Sequence, residues 1–227
     1  MSHSLFHAKS SNKLFDVPLK QSLPIHNWFD GTKAICATFR HRALRHHAQG
    51  IELCKQIFDD VSFNISDGLS VSILKTVTID EIGRQHMKED FGCLMDANKW
   101  WSEIELDSWM EKQVRFEASC KACVRKFGGQ NSDYEFLYAF FAQFDTEDPR
   151  SRSLLWHSWG IFDAESVFGI TFNRDSDEKE LPTRTVAESI VLSAFQRIPS
   201  PEDWIKSIKE DKWMYFNAAQ LSKDVTL

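Results

Sequence analysis

The residues most able to do chemistry are histidines, and they are unevenly placed. Of the eight in the chain, His3, His7, His26, His41, His46, His47 and His86 precede residue 112, and His157 alone follows it. Imidazole coordinates divalent ions and titrates near neutrality, so histidines set among carboxylates point to metal ligation or to acid and base work. The sharpest grouping is His86-x-x-Glu89-Asp90. Positions i, i+3 and i+4 of a helix share one face, and Ile79 and Ile82 fall on that same face, so the polar trio is expected to point inward. A buried carboxylate is costly unless it is paired or bound to a metal. Candidate partners are His46, His47, His26, Arg42 and Arg40, or a divalent ion bridging helices.

Helical periodicity sorts the histidines of the segment after residue 40. His47 falls on the apolar stripe of Leu44, Ile51, Cys54 and Phe58, which suits a hydrogen-bonded structural residue better than a ligand. Arg40 shares that face. His41 lies with Arg45, Glu52 and Lys55 on what reads as the solvated side, and His46 shares a face with Arg42. Two readings follow. In one, His86, Glu89, Asp90 and His46 form an acid and base site, with His47, His86 and Asp90 as ligands of a divalent metal ion and Arg42 steadying an anionic substrate such as a phosphate ester. In the other, the same groups form a structural polar network in a protein-interaction module whose partner is another protein.

The elements that position these groups occur twice. Arg40 to Phe58, RHRALRHHAQGIELCKQIF, aligns without gaps on Arg150 to Phe168, RSRSLLWHSWGIFDAESVF, with seven of nineteen positions identical at an offset of 110. Phe91 to Met110 aligns on Phe195 to Met214 at an offset of 104, and Ala8, Lys13, Phe15, Trp28 and Phe29 precede similar residues at an offset of 112. The chain therefore reads as two tandem copies of one small domain, residues 1–111 and 112–227. The second copy lacks the polar set: Ile190, Ser193 and Ala194 stand for His86, Glu89 and Asp90, and Trp156 stands for His46. Arg152 and His157 retain the places of Arg42 and His47.

Within each copy the spacing predicts a first helix over 4–14 (116–127), a second over 24–37 (133–143) and a third over 40–57 (149–167). A β-hairpin follows at 61–65 and 71–77 across Ser66-Asp67-Gly68, shorter in the second copy at 170–173 and 183–186. Helices over 79–91 (187–196) and 96–106 (200–210) close each copy. The fold class expected is α+β, mostly helical.

The string RHRALRHHAQGI, preceded by HNWFD at His26 to Asp30 and followed by IGRQHMKEDFG at Ile82 to Gly92, resembles a family of small bacterial and phage proteins of unknown function. One such unit makes a whole protein in that family. The resemblance covers the first copy and, more faintly, the second, and it implies no activity. It also suggests a phage or prophage accessory factor acting on a host protein. Arg84 departs from the pattern, where glutamate is expected and where the second copy has Glu188.

Composition excludes several classes. The 227 residues are 42% hydrophobic, and a net charge of −6 with basic and acidic residues intermixed carries no nucleic-acid signal. Five irregularly spaced cysteines and a polar start suggest a reduced, cytoplasmic protein with no membrane role. Cys120-x-x-Cys123 lacks a second pair to complete a zinc tetrad. Trp156 and Trp159 replace His46 and Gln49, which suggests a site turned into a packing surface against the other copy.

Overall fold

A computed structural model describes residues 3–59, 62–65 and 75–215. The chain forms two compact units, one of residues 1–103 with 209–227, the other of residues 104–208. Among the described residues no helix is long and apolar enough to cross a membrane.

In the first unit, α1 (Ser4–Phe15) begins where the His3 side chain accepts from the Leu5 N–H and ends at Asp16 in the left-handed region. The next helix, α2 (Leu19–Asp30), starts directly after Pro18 and carries Pro24 in its interior. The spacing predicts this helix over 24–37; it instead starts five residues earlier, and a 3₁₀ turn (Gly31–Ala34) follows it.

The third predicted helix is two elements. A 3₁₀ turn (Phe39–Leu44) precedes α3 (Ala48–Ile57), and His47 is the residue that starts α3: its extended backbone lets Nδ1 accept from the Gly50 N–H at 3.0 Å. That bond satisfies one of the donors every helix start leaves open. A short antiparallel hairpin follows, β1 (Ser62–Ile65) with β2 (Lys75–Thr78), in the register Ser62↔Thr78 to Ile65↔Lys75. The turn expected at Ser66-Asp67-Gly68 lies outside the described residues. Thr78 and Glu81 then form a capping box that launches α4 (Ile79–Phe91), and Gly92 at φ 78° stops it. The helix that follows, α5 (Ala97–Trp101), is shorter than predicted, and a 3₁₀ turn (Lys212–Tyr215) also belongs to this unit.

The second unit repeats the plan with α6 (Phe116–Phe127), a 3₁₀ turn leading to α7 (Glu135–Ala142), another 3₁₀ turn (Pro149–Leu154), α8 (Ser158–Phe168), the hairpin β3 (Thr171–Asn173) with β4 (Glu180–Pro182), α9 (Thr183–Phe195) and α10 (Pro201–Ile205). Here His157 caps α8 by accepting from Trp159 and Gly160. Equivalent loop bonds recur too: Ala48 N–H donates to the Met95 carbonyl, and Ser158 N–H to that of Pro199. Gly50 and Gly160 are required by this shared turn. A Cβ on Gly50 would sit 1.9 Å from the Arg45 carbonyl oxygen, and one on Gly160 would sit 1.8 Å from that of Leu155. The fold is thus α+β and mostly helical, with one hairpin per copy among the described residues.

The two units and the two sequence repeats differ at their ends. The first unit's aromatic core, with Phe29, Phe91 and Trp100, is closed by Trp213, whose ring lies 4.6 Å from Trp100 and 6.4 Å from Phe91. In the second unit Trp109 packs 5.2 Å from Phe195. Trp109 and Trp213 are equivalent residues of the repeats, so each unit takes its closing tryptophan from the other repeat.

Candidate functional site

The inward face of α4 behaves as its periodicity dictates. Ile79, Ile82, His86 and Asp90 are all buried, and the space around the last two is filled by side chains of α1, α2 and the turn before α3. Asp30 (8% exposed), His46 (0%), His86 (0%) and Asp90 (4%) offer donor atoms that all lie within 4.8 Å of one another.

The geometry of these four is specific. His46 Nε2 lies 3.2 Å from His86 Nε2. Asp90 Oδ2 is 3.3 Å from the first and 3.5 Å from the second. Asp30 Oδ1 is 3.6 Å and 3.9 Å from the same two nitrogens. Tetrahedral ligands bound at about 2.0–2.2 Å stand roughly 3.3–3.6 Å apart, so the separations of 3.2, 3.3, 3.5 and 3.6 Å are close to the edges of a coordination shell, with one longer at 3.9 Å. A single proton can bridge two of these atoms but not four. Asp30 Oδ2, Asp90 Oδ2 and His46 Nδ1 have no hydrogen-bond partner of normal geometry.

The surrounding groups fix the orientation of the four. His86 Nδ1 meets His26 Nδ1 at 2.9 Å, and His26 Nε2 meets Ser11 Oγ at 2.9 Å. If His86 donates from Nδ1 and His26 donates onward from Nε2 to Ser11, the His86 Nε2 lone pair faces the carboxylates, the arrangement by which outer partners orient a ligating imidazole. Arg42 NH2 pairs with Asp90 Oδ1 at 2.6 Å, leaving Oδ2 for the centre. Lys33 Nζ pairs with Asp30 Oδ1 at 2.6 Å. His7 Nδ1 meets Glu89 Oε2 at 2.5 Å, and its Nε2 faces Asp90 Oδ1 at 3.7 Å.

Burial favours the neutral form of His26 and His86 beside ionised carboxylates. Burial, aided by the neighbouring His86 and His7, holds His26 down to about 2. Burial likewise holds His86 at about 4, against the opposing pull of Asp90. Burial alone would raise the Asp90 and Asp30 carboxyls, but the facing His46 and His86 carry both well below the ordinary carboxylate range. Neutral nitrogen and ionised oxygen are the states in which both residue types ligate a cation.

Of the residues singled out from the sequence, His86, Asp90 and His46 come together here. Glu89 sits one layer out, on His7. Arg42 holds an anion, and that anion is the Asp90 carboxylate. His47 lies apart from the four, its Nδ1 engaged in capping α3. His41, expected on a solvated face, is fully buried with Nδ1 2.5 Å from the Thr38 carbonyl. The expectation extended α-helical periodicity through a 3₁₀ turn, where it does not apply. Asp30 was missed, although HNWFD contains its signal: His26 and Asp30 stand four apart on α2.

In the second unit the same space is apolar. By the repeat offsets, Tyr138, Ala142, Trp156, Ile190 and Ala194 take the places of His26, Asp30, His46, His86 and Asp90. Trp156 is fully buried and stacks on Phe141 at 5.2 Å, with Tyr138 and Phe195 at 5.7 and 5.6 Å. It fills its own unit's core. Its Nε1 donates to both oxygens of Asp145 at 3.0 and 3.1 Å.

No curated protein and no solved structure matches the chain. A family model does, twice, over residues 2–110 and 116–214, so the chain belongs to the family described as a domain of unknown function (DUF6915), present in tandem.

Proposed function

We propose that the first repeat is a metal-binding domain that holds one divalent first-row transition ion through Asp30, His46, His86 and Asp90. The observation that carries this reading is the convergence of two imidazole nitrogens and two carboxylates, all buried, at the spacing of a coordination shell. Two imidazoles with two carboxylates suit Zn²⁺, Fe²⁺ or Mn²⁺, and the absence of thiolate favours none of the soft ions. Four protein ligands with little exposure match a closed site, in which the ion is retained and not offered to bulk water. In this reading Arg42 and the pair His7 and Glu89 orient Asp90, and no substrate is assigned.

The second repeat argues against a purely structural role for the polar set, since tryptophan, tyrosine, isoleucine and alanine build the equivalent core without it. A cytoplasmic setting fits the five cysteines, which form no disulfide. The test is elemental analysis of protein purified without added metal, then equilibrated with each candidate ion. One ion per chain is expected, lost in His86→Ile and in Asp90→Ala. A wild-type chain that takes up no ion, while the variants fold equally well, would return the site to a polar network in an interaction module.

A further inference from the structure

The closing segment of the first unit connects to the proposed ligands through a short chain of contacts. Arg42 makes three polar bonds: NH2 to Asp90 Oδ1 at 2.6 Å, NH1 to the Asp90 carbonyl at 3.4 Å and NH1 to the Met214 carbonyl at 3.3 Å. Its guanidinium lies 4.9 Å and 4.8 Å from the rings of Phe39 and Phe91. Phe91 in turn touches His46, with ring centroids 6.4 Å apart, and Trp213 at the same distance. Met214 is completely buried, Trp213 packs on Trp100, and Glu210 Oε1 lies 3.5 Å from Arg40 Nε.

The equivalent bond exists in the second unit, where Arg152 NH1 donates to the carbonyls of Met110 and, at 2.9 Å, Lys112. There Ala194 stands where Asp90 would be, so no carboxylate faces the arginine from that position. One architectural contact is therefore present twice, and only in the first unit is it joined to a carboxylate at the site.

Resting on the metal reading above, we infer that the second repeat serves the first as an in-chain partner: its segment Lys212–Tyr215 completes the centre by fixing Arg42, a positioning residue that sets the orientation of Asp90. A guanidinium anchored at a backbone carbonyl, and held between two rings, presents its second nitrogen to Oδ1 in one geometry. Loosening the anchor lets the carboxylate rotate away from the ion. This gives the degenerate repeat a role without a site of its own.

The exchange of closing tryptophans supplies the control. The full-length chain would be loaded with Zn²⁺, and release to a chromogenic chelator followed for wild type, Trp213→Ala and Trp109→Ala. A second preparation loaded with Co²⁺ would report ligand geometry through its visible d–d bands. Trp213→Ala should speed release by about 10-fold or more, the usual size of a loss in outer-partner support, and alter the Co²⁺ spectrum. Trp109→Ala should leave both unchanged, although Trp109 belongs to the ligand-bearing repeat in sequence. Should Trp213→Ala fail to fold, Arg42→Lys is the second variant, since a single ammonium cannot span Asp90 and the Met214 carbonyl, and it should speed release similarly. Release within two-fold of wild type in the folded variant, or acceleration by Trp109→Ala instead, would overturn the inference while leaving the metal reading intact. An ion-free wild-type chain would overturn both.

Discussion

Binding at a site present in one unit only should stabilise that unit only, and the second repeat makes the comparison internal. An ion that binds the folded first unit at a free concentration 100 times its Kd adds about 2.7 kcal/mol to that unit's stability. For a unit of this size that corresponds to a rise of roughly 10 °C in its melting temperature. Nothing equivalent can happen in the second unit, where Ala142, Trp156, Ile190 and Ala194 stand in for the ligands. Hydrogen exchange resolved by peptide, followed with temperature in the presence and absence of ion, reads the two units separately in one sample. Peptides from α2 and α4 should gain protection, and those from α7 and α9 should not. The variant His86→Ile, which borrows the residue that the second repeat uses, removes one ligand and should abolish the gain. The reasoning fails if added ion leaves the first unit unmoved, if both units rise together, or if His86→Ile retains the shift.

Three further outcomes follow from the same structure. In ion-free protein the first unit should lose stability as pH falls from about 6.5 towards about 4. Burial holds His86 and His47 at about 4 in the folded state, so the unfolded chain binds their protons first, at up to about 1.4 kcal/mol per group and pH unit; circular dichroism at graded pH that stays flat over this window would contradict it. Asp145 behaves oppositely: burial raises it to about 6, so its neutral form favours the fold below about pH 4 and that stability is lost as pH rises through 6. Asp145→Asn keeps an acceptor for Trp156 Nε1 and should stabilise the second unit at pH 7 by on the order of 2 kcal/mol in urea titration, with the pH dependence flattened; no gain at pH 7 would mean that the aspartate is not strained there. Gly50→Ala and Gly160→Ala should each destabilise their own unit by more than about 3 kcal/mol, because a Cβ at 1.9 or 1.8 Å from a backbone oxygen requires the turn to move; near-wild-type melting of either variant would refute this.

Much of this site is legible in the sequence, and the parts that are not have identifiable causes. The face of α4 carrying His86 and Asp90 follows from a regular 3.6-residue period over a helix with a capping box at one end and a glycine at the other. His46 stands among the five partners the sequence offers for that face, beside His47, His26, Arg42 and Arg40, and the spacing alone does not choose between them. Asp30 is harder to read because the helix that carries it begins directly after Pro18, absorbs Pro24 and ends at Asp30, not at residue 37. The break at His47 escaped for a related reason. A histidine on an apolar stripe looks like a core residue of a continuous helix, and only its extended backbone identifies it as a cap. Once the segment is split, the face assignments of His41 and Arg42 change, because 3₁₀ and α turns advance by different angles. Exchange of the closing tryptophans is invisible to repeat alignment, since equivalent residues make equivalent contacts whichever unit receives them.

That exchange also orders events during synthesis. Chains emerge from the ribosome at roughly 5–20 residues per second, and domains near the start ordinarily fold first. Here the second unit, residues 104–208, is continuous and meets Trp109 before the rest of itself. The first unit has its helices early but must wait for Trp213 and Met214, on the far side of the whole second unit. The half that carries the His and Asp cluster is begun first and finished last, so, on the proposed metal reading, an ion captured in the interval would meet a cluster whose Arg42 has yet to find its backbone anchor.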